Sequence, residues 1–355
     1  MSTTTATTRA PSSAVTSFVV ASRYMPVYIA ILLLIVVASI WAPATLRGPG
    51  LNSIAPLGTF LAITALGQML VIMTGGIGLS VPGTLTLSAL VTVGVGQEAD
   101  ERIWTAIGVA LLLSALVGLV NGVLIGGIGL NALIVTLAVG QVVTGLAFRY
   151  STGTVIQSPV PGGLSEWTRT RFLGVTRTFW VGVAITLVLI VIFRFTTPGR
   201  RFQVVGANPT ASWIAGLRVN LNQVSAYVIA AVFYGIAGVL IASFLRTPNS
   251  TIGIPYLLGP IAAVVIGGAS LTGGLASPLG TWAAAFFLAG LDQMMRVMGL
   301  PTALQFVVFG LVIIGGMLVS GDRIIRGVER VLRQRTRAPP SVSQTTGVGS
   351  GDGTG

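Results

Sequence analysis

The chain has no lysine, no histidine and no cysteine among its 355 residues, so all 20 of its basic residues are arginine. Without lysine there is no Walker A phosphate loop and no Schiff base. Without histidine or cysteine there is no thiol nucleophile, no Ser-His-Asp triad and no zinc or haem site of the usual kind. The composition therefore argues against an enzyme, and the redox compartment cannot be inferred from cysteines.

Charged residues are also scarce, at 8% of the chain, whereas 53% of the residues are hydrophobic and the mean hydropathy is +0.91. Soluble globular domains carry about 25% charged residues, so this composition predicts a polytopic membrane protein. A β-barrel would need alternating strands of about ten residues, and the sequence shows continuous apolar runs instead. We therefore expect an all-α polytopic transmembrane helical bundle.

The apolar runs indicate about ten spans, each near the length of about 20 residues that crosses the hydrocarbon core. The first run ends at Trp41; the others cover roughly 52–74, 79–96, 103–125, 131–148, 179–195, 224–245, 256–271, 278–296 and 301–320. The first run has the length and terminal tryptophan of an uncleaved helix, with a signal-peptide core as the alternative. The expected organisation is a disordered tail (1–24), a transmembrane domain (25–320) and a basic, then disordered, tail (321–355).

The distribution of arginines predicts the orientation. Ten crossings place both termini on one side, and six arginines between residues 321 and 337 place that side in the cytoplasm, together with the loop 196–222. The loop 149–178 disagrees, because it carries four arginines yet falls outside in this topology. The net charge of +12 belongs to residues that flank apolar spans, so it indicates a lipid bilayer as partner and no nucleic acid.

Two glycine-rich segments interrupt the apolar pattern: "MTGGIGLSVPG" from Met73 and "GGASLTGG" from Gly267. Adjacent glycines, a proline and hydroxyl residues disfavour a continuous helix, so we expect broken or discontinuous helices there. Non-helical backbone at membrane depth is tolerated where it is buried in protein or lines a wet cavity, so the segments are translocation-path candidates. The alternative is a short interfacial turn. Both share Gly-Gly-x-x-Leu-(Ser/Thr), a weak internal repeat of a kind that frames transport paths.

Few residues inside the spans carry charge. Asp292 is the one carboxylate within a predicted span, and Arg296 follows four residues later, which favours an ion pair over a proton or ion site. Neutral polar residues, among them Asn121 and Gln141, fit an uncharged solute better, with the energy supplied by a partner. The translocation-path candidates are Gln68, Thr74, Gly75, Gly76, Gly78, Ser80, Asn131, Gly267, Gly268, Ser270, Thr272, Gly273, Gly274 and Gln293.

Other glycines have a simpler interpretation. Gly118, Gly122 and Gly126 recur every fourth residue and therefore lie along one face of a helix. Such a stripe of small residues lets two membrane helices pack closely. We predict a packing role for this stripe and no function beyond it.

The segment "GRRFQVVGANPTASWIAGLRVNLNQ", from Gly199, contains Asn208-Pro209, a helix-start signal, and then a short helix with a glycine stop. The stretch "GANPTASWIAGLRV" resembles the cytoplasmic loop of ribose-type ABC transporter permeases. The glycine-rich segment from Ile261 to Leu291 and "NALIVTLAVGQVVTGLAF" resemble other parts of that family, and the similarity covers roughly residues 30–320. The resemblance implies that this loop holds an ATPase-coupling helix, with Gly206, Asn208, Ala211, Trp213, Ile214, Ala215, Gly216 and Leu217.

The resemblance implies a bacterial cell-membrane permease that works as a pair, homodimeric or heterodimeric, with two cytoplasmic ABC ATPase subunits and an extracytoplasmic solute-binding protein. It implies import of a sugar or related neutral solute by alternating access, with ATP bound by the partner subunits and no cofactor on this chain. Family members usually have aspartate where Gly78 stands and glycine where Pro82 stands. A branched-chain amino-acid-type permease and a self-sufficient carrier or channel remain alternatives.

Overall fold

A computed structural model describes residues 13–46, 48–153 and 159–320. Within these ranges the chain is almost entirely helical, with one two-stranded antiparallel hairpin, β1 (Arg171–Phe172) and β2 (Val175–Thr176). The helices are α1 Ser13–Trp41, α2 Pro43–Leu46, α3 Gly48–Met73, α4 Val81–Gly96, α5 Ile103–Gly122, α6 Ala132–Gly153, α7 Gly162–Arg169, α8 Arg177–Phe195, α9 Thr197–Ala207, α10 Pro209–Ile214, α11 Val219–Leu245, α12 Gly259–Ile266, α13 Pro278–Val297 and α14 Thr302–Ser320. A π-helical turn, Val123–Gly127, extends α5.

The all-α polytopic prediction is confirmed. Among the described residues, five helices are long and apolar enough to cross a membrane: α3, α5, α6, α8 and α11. Shorter apolar helices include α1 from Val27, α4, α12 and α14. Each predicted span falls on one helix.

Two boundaries differ from the expectation. Helix α1 begins at Ser13, so the second half of the tail predicted as disordered is helical. Helix α12 covers only eight residues of the span predicted at 256–271, because glycines and prolines limit it at both ends. The predicted basic tail, 321–355, lies outside the described residues.

The core is built around α3 and α11. Helix α3 is buried along most of its length through Ala62, Ile63, Leu66 and Met69, and it packs against α11, α12 and α13. Helices α1, α6 and α8 instead expose large apolar side chains such as Leu33, which suits contact with lipid.

The glycine stripe of α5 explains how closely α5 and α11 pack. A Cβ atom added to Gly118, Gly122 or Gly126 would lie 2.6–2.9 Å from the nearest atoms of residues 220–231 on α11. Only glycine allows this approach, so the packing prediction for the stripe is confirmed.

The loop 149–178, whose four arginines disagree with the predicted orientation, is folded in the part that the structure describes. Arg169, at the end of α7, donates from Nε and Nη2 to the Phe244 carbonyl at 3.0 and 2.7 Å, and Arg246 donates to Ser165 Oγ at 3.1 Å. The Gly163 amide donates to Asp100 at 2.9 Å. Arg169 thus satisfies a carbonyl of the last turn of α11, where the helix dipole favours a cation, and this structural use accounts for part of the charge in the loop.

Candidate functional site

The first glycine-rich segment ends α3 in a Schellman motif. Gly75 has a φ of +82°, its amide donates to Ile72 O, and the Gly76 amide donates to Val71 O. This left-handed conformation favours glycine, because a Cβ would be strained there. The chain then runs without helix until α4 begins at Val81, so the predicted break is present.

The second segment ends α12 in the same motif, one residue out of step with the sequence repeat. Gly268, the second glycine of its pair, has a φ of +85°, and Gly268 and Ala269 donate to Val265 O and Val264 O. The structural equivalent of Gly75 is therefore Gly268, although the sequence repeat pairs Gly75 with Gly267. The eleven residues between α12 and α13 form the second break.

The two breaks touch each other. The Gly274 amide donates to Met73 O at 2.9 Å, and the carbonyl of Thr272 lies 3.9 Å from the position of a Cβ on Gly75. Gly273 and Gly274 both have positive φ, so the backbone curls tightly against the end of α3. Candidates far apart in the sequence thus meet in one place.

The end of α9 packs into the same junction. A Cβ atom on Gly206 would overlap the Met73 carbonyl oxygen and would lie 2.9 Å from the Gly274 nitrogen. The Ala207 side chain occupies the space beside Gly274. We call Met73, Gly206, Gly273 and Gly274 the break junction, because it joins both breaks directly to the segment that leads into α10.

Gln68 holds the first break from the side of α3. When its amide is oriented with the oxygen toward the Gly78 amide and the nitrogen toward the Gly78 carbonyl, both bonds measure 3.1 Å, and the nitrogen also reaches Tyr234 OH at 2.8 Å. This orientation pairs every one of these buried groups, as buried polar groups require. A Cβ on Gly78 would lie 2.9 Å from Gln68 and 3.3 Å from Tyr234 OH. Gln68 therefore occupies the space next to Gly78.

Further side chains fix the rest of this break. The Thr136 hydroxyl donates to Ala132 O within its own helix, lies 3.1 Å from Ile77 O, and accepts from the Leu79 amide at 3.0 Å. Asn121 donates to the Ser80 hydroxyl at 3.0 Å. Asn121 Oδ1 and Tyr227 OH are buried without a hydrogen-bond partner among the described residues, and Tyr227 OH lies against Gly76. The break is thus polar, and Thr74, Gly78 and Ser80 within it are buried.

Sequence reasoning missed Thr136, Tyr227 and Tyr234. The two tyrosines stand seven residues apart on α11, two helical turns, and so share one face of the helix. That spacing could have indicated a polar face on α11. It does not indicate which helix this face contacts.

The remaining path candidates are less central. Asn131 Oδ1 accepts from the amides of Leu133 and Ile134, so it caps α6. The hydroxyls of Ser270 and Thr272 lie 2.8 Å apart within the second break, and Thr74 donates to Val71 O. Gln293 lies near the far end of α13, about 22 Å along the helix from its start at the second break. The structure therefore does not bring Gln293 to the breaks.

Helix α10 has the caps that the sequence predicts. Asn208 Oδ1 accepts from the Ala211 amide at 2.9 Å, Pro209 opens the helix, and Gly216 follows it with a φ of +79°. Trp213 and Ile214 are 73% and 75% exposed, whereas Ser212 is buried and donates to Val204 O on α9. The helix therefore presents two large apolar side chains outward while it is attached to α9.

Asp292 and Arg296 form the expected ion pair. Arg296 Nε lies 2.9 Å from Asp292 Oδ2, with 61% of the arginine side chain and 23% of the aspartate side chain exposed. An exposed pair one helical turn apart contributes little to stability.

We expect Asp292→Asn to change the free energy of unfolding by less than about 1 kcal/mol, because the pair is exposed. Uptake by the transporter that the family resemblance implies should also keep its rate with and without an imposed proton gradient. Thermal unfolding and uptake in proteoliposomes measure the two effects. A proton-dependent loss of uptake would assign Asp292 to ion coupling instead.

These features define a polytopic α-helical membrane protein whose two broken helices meet beside a short projecting helix. The sequence model of the family described as "Branched-chain amino acid transport system / permease component" matches residues 50–317. The chain belongs to this family.

Curated relatives match over most of their length. Ribose import permease protein RbsC of Escherichia coli strain K12 is 32% identical over 83% of this chain and 92% of its own. L-arabinose ABC transporter permease protein AraH of Azospirillum brasilense is 32% identical over 78% of this chain and 82% of its own. Autoinducer 2 import system permease protein LsrC of Enterobacter sp. strain 638 is 31% identical over 84% and 87%. No solved structure matches the chain significantly.

Proposed function

We propose that this chain is the membrane permease subunit of an ABC importer for a sugar or related neutral solute. The names of the relatives support a sugar, since they specify ribose, arabinose and autoinducer 2. The chain itself binds no ATP in this proposal, in keeping with the absence of any lysine for a Walker A loop. Solute passes from an extracytoplasmic binding protein through the bilayer by alternating access.

The main structural support for this proposal is the break junction. Helix α10 projects Trp213 and Ile214, while Gly206, two residues before the Asn208 cap of α10, abuts the backbone of both breaks. We infer that the loop 196–222 is the coupling loop and that α10 docks in a groove of a cytoplasmic ATPase subunit, with exposed apolar residues as anchors. Small Ala211 and Ala215 allow close approach. Closure of the ATPase subunits would move α10 and, through Gly206, the two breaks.

The same proposal sets the orientation. The end of the bundle with α10 and the break junction faces the cytoplasm, with Arg200, Arg201 and Arg218 flanking α10. The opposite end, with α7 and the β1–β2 hairpin, faces the binding protein. Both termini lie in the cytoplasm, and a second permease chain, identical or not, completes the transport path.

Trp213→Arg should abolish docking of the ATPase subunit. A charge replaces the apolar anchor on an exposed helix, so the permease itself stays folded while the ATPase no longer co-purifies with it; central aromatic anchors contribute about 2 kcal/mol or more to such interfaces. Co-purification of the tagged permease with its ATPase, and uptake in vesicles, measure the loss. Ala215→Arg should act in the same way by blocking close approach.

Trp104→Arg is the matched control. Trp104 is 82% exposed at the start of α5, the end of the bundle opposite α10, so its replacement should leave the ATPase bound. Retention of the ATPase and of uptake by Trp213→Arg and Ala215→Arg would contradict the coupling role of α10.

Two alternatives are separated by direct measurement. Thermal shifts of the cognate binding protein across sugars and amino acids distinguish a sugar importer from a branched-chain amino-acid importer. Uptake by vesicles that hold this chain alone, without any ATPase, would establish a self-sufficient carrier or channel.

A further inference from the structure

A cavity of about 340 Å³ opens on the surface of the bundle between α4, α6 and the segment 250–254. Pro82 and Thr86 of α4 form one wall, and Gln141, Thr144, Gly145 and Phe148 of α6 form another. Ser250, Thr251 and Ile254 complete it. Pro82, at the edge of the cavity, lies in the first turn of α4, the helix that follows the first break.

The cavity walls are held in place by close contacts behind them. A Cβ atom added to Gly83 would lie 2.6 Å from Gly140 O and 2.9 Å from Thr144 Oγ1, so α4 and α6 cannot separate without losing this packing. The Gly253 amide donates to Thr86 Oγ1 at 3.1 Å and ties the segment 250–254 to α4. The cavity is therefore a formed feature and not a gap between loose elements.

The exposed polar groups of α6 indicate that the cavity is wet. The Gln141 amide is exposed and has no hydrogen-bond partner among the described residues. An amide facing lipid without a partner carries a large desolvation cost, and polar residues in membrane helices face the bundle interior or a water-filled space. A water-filled cavity beside Gln141 would spare its amide this cost.

The lining has a specific chemistry. Thr86 Oγ1 accepts from Gly253, which leaves its proton to donate, and Thr144 donates to Gly140 O, which leaves its oxygen to accept. The Gln141 amide both donates and accepts. The Phe148 ring is 58% exposed and offers an apolar face, and no charged side chain lines the cavity.

We propose that this cavity is a solute-contact site of the translocation path and takes an uncharged, polyhydroxylated molecule of monosaccharide size. Sugar hydroxyls both donate and accept, which matches Thr86, Thr144 and Gln141, and the C–H face of a sugar ring packs on Phe148. The volume falls within the range of small-molecule sites. A zwitterionic amino acid would find no charged partner here. The inference rests on the proposed importer function and assigns it a substrate-contact site.

Thiol labelling tests the wet cavity without knowledge of the solute. Because the chain has no cysteine, Gln141→Cys introduces a single thiol. In proteoliposomes holding the permease, its ATPase and its binding protein, we expect a water-soluble cationic methanethiosulfonate to modify this thiol. Modification by a lipid-soluble maleimide alone would place residue 141 against lipid and overturn the site, whatever the importer carries.

Uptake tests the solute class. With D-ribose, L-arabinose and L-leucine as probes, we expect the double variant Gln141→Leu, Thr144→Val to lower the maximal uptake rate of the transported sugar about tenfold, the combined effect of two ordinary hydrogen bonds. Binding-protein-stimulated ATP hydrolysis should stay within about twofold, since no docking surface changes. This pattern separates loss of a solute contact from failure of the importer, in which both activities fall.

Thr152→Val is the matched control for the α6 substitution. Thr152 lies two helical turns beyond Thr144 and makes the same type of bond to the carbonyl four residues earlier, but it does not line the cavity. It should leave uptake unchanged. Unchanged uptake in the Gln141, Thr144 double variant, or leucine as the transported probe, would overturn the proposal.

Discussion

Gly206→Ala is expected to destabilise the permease and to abolish most uptake. The new Cβ would overlap Met73 O, and its nearest neighbours are backbone atoms of two separate elements, which cannot turn away as a flexible side chain would. Overpacking of this kind costs about 1–3 kcal/mol. Because Met73 O also accepts from the Gly274 amide, relief of the overlap would separate the two breaks.

Thermal unfolding of the purified chain and parallel assays of uptake and ATP hydrolysis measure this effect. We expect a lower melting temperature, and hydrolysis that persists while uptake falls, because α10 remains free to dock. Gly108→Ala is the control: nothing lies within 4 Å of a Cβ at Gly108, and alanine is about 1 kcal/mol more favourable than glycine within a helix. If Gly206→Ala unfolded and transported like Gly108→Ala, the break junction would have no mechanical role.

Gly78→Asp, which introduces the residue that the resemblance predicts at this position, is expected to be disruptive in this chain. Its Cβ would lie 2.9 Å from the Gln68 amide, and its carboxylate would enter a buried site where Gln68 already satisfies the Gly78 backbone. A buried carboxylate without a cation and a crowded side chain together should cost about 3 kcal/mol. Thermal unfolding and the yield of folded protein report this loss.

Gln68→Ala provides the rescue. It removes the amide that blocks the aspartate, so the double variant Gly78→Asp, Gln68→Ala should recover at least about 1 kcal/mol relative to the sum of the single variants. Uptake across solutes then tests the pathway. A changed solute preference in the folded double variant supports a pathway role for the first break. If the effects of the two substitutions on the free energy of unfolding are additive and uptake is unchanged, the first break is only a turn between two helices.

Local signals in the sequence predicted the elements that have local causes. Asn208, Pro209 and Gly216 define α10 because caps act within a few residues, and the spacing of Gly118 and Gly122 indicated a packing face because helical periodicity is local. The Asp292 and Arg296 pair followed from the same rule. The shortness of α12 was missed, because the apolar sequence continues on both sides of it whereas the helix stops.

Contacts between distant segments were not predictable in this way. No pattern near Gly206 indicates Met73 or Gly274 as its neighbours, and nothing around Gly78 indicates that Gln68 lies against it. The repeat of Gly-Gly motifs even pointed to the wrong register, since Gly75 corresponds structurally to Gly268. The position at which a helix ends determines which glycine adopts the left-handed conformation, and the neighbouring residue types do not.

The sequence by itself determined the class of this protein: an all-α membrane chain without lysine, histidine or cysteine, with two broken segments and one capped helix between apolar spans. Apolar run length, missing residue types and cap residues are properties of single segments, so they can be read along the chain. Only the tertiary structure decided that both breaks and the end of α9 share one backbone junction, and that α4, α6 and residues 250–254 together line a cavity without a charged side chain. Those arrangements arise from the close packing of helices that are distant in sequence, where the absence of one Cβ atom decides which backbones can touch.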